Sequence, residues 1–516
     1  MKKLPIGIQS FKNIRTEGYY YADKTLQLCQ LVNRGKYYFL SRPQGFGKSL
    51  FLSTLKSAFS GEKDLFKGLY LENNWNWAIK NPVILIPVSQ GIGTIIKENS
   101  NKYEIILENK TLKSQFAELI QKLHDKYQEK VVILVDDYDK PIFDNLKSKR
   151  LSVIKQEFQK FYAVIKDNDE YIRFAFLTGV SKLSNIPFFQ DISLDKRYGE
   201  ICGYTETEIK TIFNDYLQLR DFEQLKKWYS AYNFLGEKVY NPFYVLSYLE
   251  SSEFKTFEFA NLDLLKLFCK KNKEYLVANL ESIEASDSFF DTQECFETLL
   301  FQMGYLTIKE KQTLGVRNFY KLSYPNLQVS MSLTENILNY FTKNSLEKDN
   351  LMLALYQALQ AADVGALKDI FQGFFRINKP NKSASYYISI VYCYFVALGL
   401  EVIIENIESN SGKFDFTVKL DDKVFIIEFK LIDNNSYTPL EEIKEKQYFK
   451  KYKPETEEIY LIGITFNQAE GEIINFQGEK LYVILNKRNR EENGENRYLF
   501  EPCTNTVSKN ALLITR

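Results

Sequence analysis

Two groups of residues in this chain have types and spacings suited to phosphate chemistry. The first is Tyr38-Phe-Leu-Ser-Arg-Pro-Gln-Gly-Phe-Gly-Lys-Ser-Leu50, joined farther on by Leu134-Val-Asp-Asp-Tyr-Asp-Lys-Pro141. An apolar run, a glycine-bearing turn and Gly47-Lys48-Ser49 are what hold a nucleotide triphosphate. A helix N-terminus offers unpaired N–H groups, and glycine lets backbone approach phosphate. Lys48 would reach the β/γ-phosphates, and Ser49 and Asp136 would hold Mg²⁺. Asp137 would orient or deprotonate the attacking water. The first glycine of the usual G-x-x-x-x-G-K-[ST] pattern falls at Arg42. Taken alone, the loop serves equally as a helix start, and the acids equally as helix caps ahead of Pro141.

The second group is Gly412-Lys-Phe-Asp-Phe-Thr-Val418 followed by Val424-Phe-Ile-Ile-Glu-Phe-Lys-Leu431. Strand alternation puts Ile426, Glu428 and Lys430 on one face, with Asp415 on the preceding strand across an Asp421-Asp422 turn. Two carboxylates and a lysine on one hairpin are the minimum for a Mg²⁺-dependent phosphodiesterase. Asp415 and Glu428 would bind metal, and Lys430 would steady or activate water. Charged residues on a solvated strand face produce the same pattern. Against that, Glu428 and Lys430 interrupt a run otherwise apolar enough to be central, where unpaired charge is expensive.

These residues need a scaffold. Residues 36–60 read strand, loop, helix, the strand being the apolar run at Tyr38. With Val83–Ile86, Val131–Val135 and Ile172–Leu177, apolar runs alternating with helical stretches, this predicts a parallel sheet covered on both faces. Ligands bind such sheets at the carboxyl ends of the strands, where the Gly-Lys-Ser turn and the Asp136 cluster both fall. From Thr205 to Asn344 the pattern is mostly helical, with segments at Glu206–Leu219 and Phe259–Leu280 and a small hairpin around Gly315; it reads as a packing or lid subdomain. A third unit follows: a buried helix at Tyr386–Leu400, then strands near Glu401–Glu405, Lys413–Leu420, Val424–Phe429 and Ile459–Thr465. A helix over Leu440–Tyr452 stands before the last of these. The expected fold is α/β in three parts: a P-loop domain over residues 1–205, a mostly helical middle over 206–345, and an α/β restriction-endonuclease-like domain over 346–516.

At 516 residues the chain is too long for one core. Its net charge of +1 advertises no global field for nucleic acid, though a local patch remains open. Six cysteines stand singly, without C-x-x-C spacing, and read as reduced thiols. The single histidine, His124, rules out a His-pair metal site. With no adequate apolar leader and no apolar stretch of about 18 residues, the expectation is a cytoplasmic protein without a membrane partner. Lys487-Arg-Asn-Arg490, ahead of the acidic Glu491–Glu495 stretch, reads as a solvated turn.

Several further motifs stand in order with these: Tyr21-Ala-Asp-Lys-Thr25, Thr178-Gly-Val-Ser-Lys182, Gly203-Tyr-Thr-Glu206, Tyr240-Asn-Pro242 and Tyr324-Pro-Asn326. Together the chain resembles a bacterial AAA-ATPase-like family whose members join that domain to a C-terminal PD-(D/E)XK-type nuclease domain. The resemblance covers nearly the whole chain, and the family's loop, similar to R-P-R-R-F-G-K-[ST], also lacks the first glycine. It implies ATP bound by Arg42, Gly45, Gly47, Lys48, Ser49 and Asp136, and Mg²⁺ at both sites. It also implies nucleic acid as the substrate of Asp415, Glu428 and Lys430. Thr178 and Ser181 would occupy a γ-phosphate-sensing position or simply cap a turn.

The departures are Gln44-Gly45 where the family has two arginines and Asp137 where it has glutamate. A third is Glu442 where it often has glutamine six residues before the tyrosine matched by Tyr448. A histidine common on the preceding helix is missing, and Glu405 is the candidate for an upstream supporting acid. A displacement of about 1 Å at a reacting group costs roughly 10²-fold. The resemblance is therefore compatible with ATP binding and slow hydrolysis. The alternative is a nucleotide-dependent interaction module that keeps the nuclease fold as a scaffold.

Overall fold

Strands β1 (Tyr37–Ser41), β2 (Val83–Pro87), β3 (Val131–Asp136), β4 (Ile172–Gly179) and β5 (Gln190–Asp191) form one parallel sheet in the order β2-β3-β4-β1-β5. β4 thus lies between the strand that leads into the glycine turn and the strand that ends in Asp136. In this computed structural model the described residues are 1–145, 148–149, 151–182, 188–230, 232–256, 277–291, 296–342, 344–378, 384–408, 413–432, 439–452, 458–467, 472–484 and 497–502. Most of the helix expected over Phe259–Leu280, Gly412, and the Lys487–Arg490 and Glu491–Glu495 segments lie outside them.

The strands are apolar on both sides because helices cover both faces. α1 (Phe11–Thr16) and α2 (Thr25–Arg34) precede β1, and α3 (Lys48–Phe59) follows it. α4 (Ile92–Lys102) and α5 (Leu112–Tyr127) lie between β2 and β3, and α6 (Lys140–Asp144) and α7 (Leu151–Asp167) between β3 and β4. β4 shows the division. Ala175 and Leu177 join the core built with Phe116, Leu119 and Leu123 of α5 and Phe161 and Ile165 of α7. Phe174 and Phe176 face the other way, their rings 5.5 and 5.6 Å from Phe59 and Phe51 of α3.

A short β6 (Tyr204–Thr205) pairs with β7 (Val239–Tyr240) around the helices α8 (Glu206–Ile212), α9 (Asn214–Leu217) and α10 (Phe222–Tyr229); α11 (Pro242–Ser251) follows. Thr205 and Glu208 close α8 with a reciprocal capping box. The expected hairpin around Gly315 is β9 (Thr307–Leu314) and β10 (Arg317–Ser323). A third strand, β8 (Ile283–Ser286), pairs with β10, and α12 (Phe296–Met303) precedes β9. The chain divides into two compact units, one within residues 1–261 and 281–329, the other within 262–280 and 330–516.

The second unit carries most of α13 (Leu327–Phe341), then α14 (Ser345–Ala361), α15 (Val364–Ile377) and α16 (Ala384–Ala397). Its sheet runs in chain order: β11 (Glu401–Glu408), β12 (Lys413–Leu420), β13 (Lys423–Ile432), β14 (Glu458–Asn467), β15 (Glu472–Ile484) and β16 (Arg497–Pro502). All neighbours are antiparallel except β13 and β14, whose crossover contains α17 (Pro439–Lys446). The helix expected over Leu440–Tyr452 breaks at Gln447, which takes a left-handed backbone with φ 56° before a 3₁₀ turn at Tyr448–Lys451. β15 and β16 extend the sheet beyond the strands read from the sequence. One sheet face packs on α15 and α16 through contacts such as Phe375–Phe466 at 4.3 Å and Phe395–Phe416 at 5.4 Å. On the other, Val424, Ile426 and Leu461 pack with Leu440 and Ile443 of α17. Among the described residues no helix is long and apolar enough to cross a membrane.

Candidate functional site

The turn after β1 is shaped by two glycines in the left-handed region, Gly45 at φ 83° and Gly47 at φ 90°. Gly47 caps α3, and a Cβ there would meet nothing within 4 Å, so the helix start opens on space that a phosphate could fill. Lys48 is the first residue of α3 and is buried. Its Nζ donates to the carbonyl oxygens of Arg42 at 2.9 Å and Pro43 at 3.2 Å, so the ammonium folds back into the concavity of its own loop. Ser49 stands half-buried one residue on, and Gln44 and Gly45 are exposed.

Arg42 is placed differently from the other loop residues. Its guanidinium is buried, 3.9 Å over the Phe234 ring, and donates to the carbonyls of Ser41, Ser193, Tyr198 and Gly199 at 2.8–3.4 Å. Burial without an acidic hydrogen-bond partner pulls its pKa down to about 10, still protonated at neutral pH. The side chain braces the start of the loop against the 193–199 segment. Two more ties hold the turn: Asn241 Nδ2 donates to Gln44 O at 2.9 Å, and Gly203 N donates to Phe46 O at 3.1 Å.

Past β3 the acids take separate positions. Asp136 Oδ1 accepts from Thr178 Oγ1 at 2.8 Å, across the strand boundary that the β3–β4 pairing creates. Asp137 has φ 51°, in the left-handed region, which aspartate enters more readily than most non-glycine residues. Burial pushes its carboxyl pKa up, Lys48 pulling against that and Asp136 adding to it. Asp139, given no role of its own in the sequence reading, is buried, and its Oδ2 accepts from Val180 N (3.0 Å), Ser181 N (2.7 Å) and Ser181 Oγ (3.1 Å). Burial outweighs those bonds and raises its pKa to about 6. Thr178 is therefore bound to the acid that ends the neighbouring strand, and Ser181 to Asp139 at the start of α6.

Beside Gly47 and the first turns of α3 lies a largely apolar cleft lined by Tyr20, Tyr21, Lys24, Phe46, Thr54, Cys202, Tyr204 and Pro242. The Tyr21–Thr25 motif shapes its wall. Tyr21 meets the Thr54 hydroxyl at 3.3 Å, and Lys24 pairs with Glu208 through both oxygens at 2.6 and 2.7 Å. Asp23 accepts from Thr25 N and Tyr70 N, both at 2.9 Å. A flat ring fits such a wall of aromatic and apolar side chains with few polar groups.

On the second sheet, Asp415 and Glu428 are direct cross-strand partners and both are buried, 1% and 0% exposed. Lys430 shares their face. Its Nζ, however, pairs with Glu442 Oε1 of α17 at 3.1 Å. The ammonium on the acidic pair belongs to Lys446, the last residue of α17, which bonds Asp415 Oδ2 and lies 3.4 Å from Glu428 Oε2. Burial, a hydrogen bond with Glu442 and the nearby Asp415 charge raise the pKa of Glu428, while Lys446 opposes them. Helix α17 comes this close because Gly463, opposite Glu428 on β14, has no side chain; a Cβ there would fall 2.5 Å from Leu440 N.

Glu405, the candidate upstream acid, sits where the β11–β12 register shifts. Thr417 Oγ1 and Tyr452 OH donate to it, each at 3.1 Å, and Lys451 pairs with its other oxygen. Among the described residues no three His, Cys, Asp or Glu side chains converge, as they stand, on one metal position. The two carboxylates of the hairpin nonetheless suit a hard divalent cation, since they are adjacent oxygen donors at a point that already holds positive charge. Lys446 escaped the sequence reading because its place depends on how α17 docks. The one available signal was its i,i+4 spacing from Glu442.

The family described as "Predicted AAA-ATPase" matches residues 5–189, and the PD-(D/E)XK nuclease superfamily matches residues 383–476. A protein of Azotobacter chroococcum mcd 1, described as "Uncharacterized protein in vnfD 5'region", is 37% identical over 521 residues. That alignment covers 93% of this chain and 99% of the relative.

Proposed function

This chain belongs to the AAA-ATPase-like proteins that carry a C-terminal PD-(D/E)XK nuclease-superfamily domain, and we propose that it binds ATP with Mg²⁺ and cleaves nucleic-acid phosphodiesters. The observation that carries the reading is the cross-strand pairing of two buried carboxylates, Asp415 and Glu428, on a sheet face within reach of lysine. Two adjacent buried acids cost stability unless they are compensated, and a divalent cation is one compensation that chemistry can use.

At the first site Lys48 exchanges the Arg42 and Pro43 carbonyls for phosphate oxygens, and the N–H groups at the start of α3 take the rest. Gly45 and Gly47 let the backbone approach, and Arg42 holds the loop open at its base. The Tyr21–Tyr204 cleft receives the nucleobase. Ser49 and Asp136 hold Mg²⁺, with Thr178 fixing the Asp136 carboxylate. Asp137 orients the attacking water and accepts its proton, a task for which its raised proton affinity suits it.

At the second site Asp415 and Glu428 hold the divalent metal, which when bound supplies the charge that polarises the phosphodiester. A lysine beside the pair steadies the water. Nucleotide binding at Lys48 regulates cleavage at Asp415. One observation favours the second reading, an interaction module with a silent nuclease fold: Lys430 is paired with Glu442 and not with Asp415.

The test is a nuclease assay on single- and double-stranded DNA and RNA with Mg²⁺ or Mn²⁺, with and without ATP. Metal-dependent cleavage by wild type that falls to background in Asp415→Ala, and changes in Lys48→Ala, is the expected result. Absence of cleavage by wild type under every condition, alongside intact ATP binding, selects the interaction module. Unchanged cleavage in Lys48→Ala removes the regulation.

A further inference from the structure

We propose that Lys446, in the last turn of α17, is the resident cation of the Asp415–Glu428 pair and sets how tightly that pair takes a divalent metal. The ammonium on the pair is thus that of Lys446 and not that of Lys430, the lysine the sequence pattern singles out. The inference rests on reading the pair as a metal site, and it identifies Lys446 as a positioning residue.

Two adjacent carboxylates buried to 1% and 0% exposure need a nearby positive charge. Lys446 supplies it, touching one oxygen of each acid. Lys430 stands two residues along the strand from Glu428 and on the same face, yet its ammonium is spent on Glu442. The position of Lys446 is built in. Leu440 and Ile443 bury α17 against Val424, Ile426 and Leu461, and Gly463 admits the helix backbone to the sheet.

The ammonium and a divalent cation seek the same oxygens, so one enters as the other leaves. Lys446 can leave and the acids cannot. Its side chain is 24% exposed, while those of Asp415 and Glu428 are 1% and 0% exposed. Glu442, one turn back on the same helix and already paired with Lys430, has its Oε2 4.0 Å from Lys446 Nζ. Metal affinity is therefore reduced by the fraction of molecules in which Lys446 covers the pair.

The experiment uses the full chain, with Mn²⁺ binding followed by calorimetry and unfolding followed by thermal melts with and without Mn²⁺. Lys446→Met is expected to melt lower than wild type without metal and to bind Mn²⁺ about tenfold or more tightly, since the competing state is gone. Lys444→Met, which removes an ammonium of the same helix that pairs with Glu479, is expected to keep wild-type Mn²⁺ affinity. Asp415→Asn added to Lys446→Met restores the metal-free melt and removes the Mn²⁺ response; recovery of folding in that double variant serves as the readout if Lys446→Met alone does not fold. Unchanged Mn²⁺ affinity in Lys446→Met, or an equal gain in Lys444→Met, overturns the proposal. If no variant binds Mn²⁺, the metal-site reading is what fails. The melts then decide the resident cation, which stands if Asp415→Asn rescues Lys446→Met and falls if Lys446→Met melts like wild type.

Discussion

Beyond β3, Asp136 and Asp139 are met by neutral donors, the Thr178 and Ser181 hydroxyls and two backbone N–H groups. On the β12–β13 hairpin, Asp415 and Glu428 are met by a charged one, the Lys446 ammonium. Neutral donors orient a carboxylate and leave its charge in place, so the first site still attracts a cation. An ammonium offsets part of that charge and occupies an oxygen of each acid, so on the proposed reading the second site would take a cation by exchange. The first site depends chiefly on backbone geometry, the second on charge balance.

Four substitutions break or sharpen that contrast. Asp137→Asn keeps shape and removes the base; steady-state ATP hydrolysis should fall by about 10²–10⁴-fold while ATP affinity is retained. Equal hydrolysis in that variant moves the base elsewhere. Lys48→Ala removes charged hydrogen bonds to phosphate of about 3 kcal/mol, roughly a hundredfold in ATP affinity by fluorescent-nucleotide titration. Gly45→Ala puts a Cβ 2.7 Å from Asn241 Oδ1 on a left-handed backbone; a stability loss of about 1–3 kcal/mol should appear in denaturant melts.

The smallest effect is the most discriminating. Asp139→Asn keeps an acceptor for Val180 N and Ser181 N and removes a buried charge, so at pH 7 it should cost less than about 1 kcal/mol of stability. If instead the charge of Asp139 matters, that variant will lose as much as Asp139→Ala. The pH profile gives the sign. The folded pKa of about 6 lies above the unfolded value of 3.8, so the folded protein holds the extra proton between them. The contribution of Asp139 to stability therefore falls as pH rises from about 4 to 6, and Asp139→Asn should flatten that slope.

Much of this was readable from residue order. The apolar runs at Val131–Val135 and Ile172–Leu177 announced buried parallel strands, and the alternation around Glu428 correctly put Lys430 on its face. What could not be read was lateral. Nothing local says that β4 inserts between β1 and β3, and only that insertion brings Thr178 to Asp136. Lys446 was hidden for the same reason: its contact with Asp415 depends on α17 packing over Gly463. Gln447 ended the expected helix early because its left-handed backbone turns the chain, a choice that glutamine does not advertise.

The parallel β13–β14 pair also fixes an order of events during synthesis. Its antiparallel neighbour, the β12–β13 hairpin, is complete once Lys430 has left the ribosome, and with it the Asp415–Glu428 pairing. Lys446 is made later, and Gly463, which lets α17 settle, later still. At about 5–20 residues per second, a few seconds separate the synthesis of Lys430 from that of Gly463. The acid pair therefore cannot reach its buried, lysine-covered state until the chain has been made through Gly463, well after both acids.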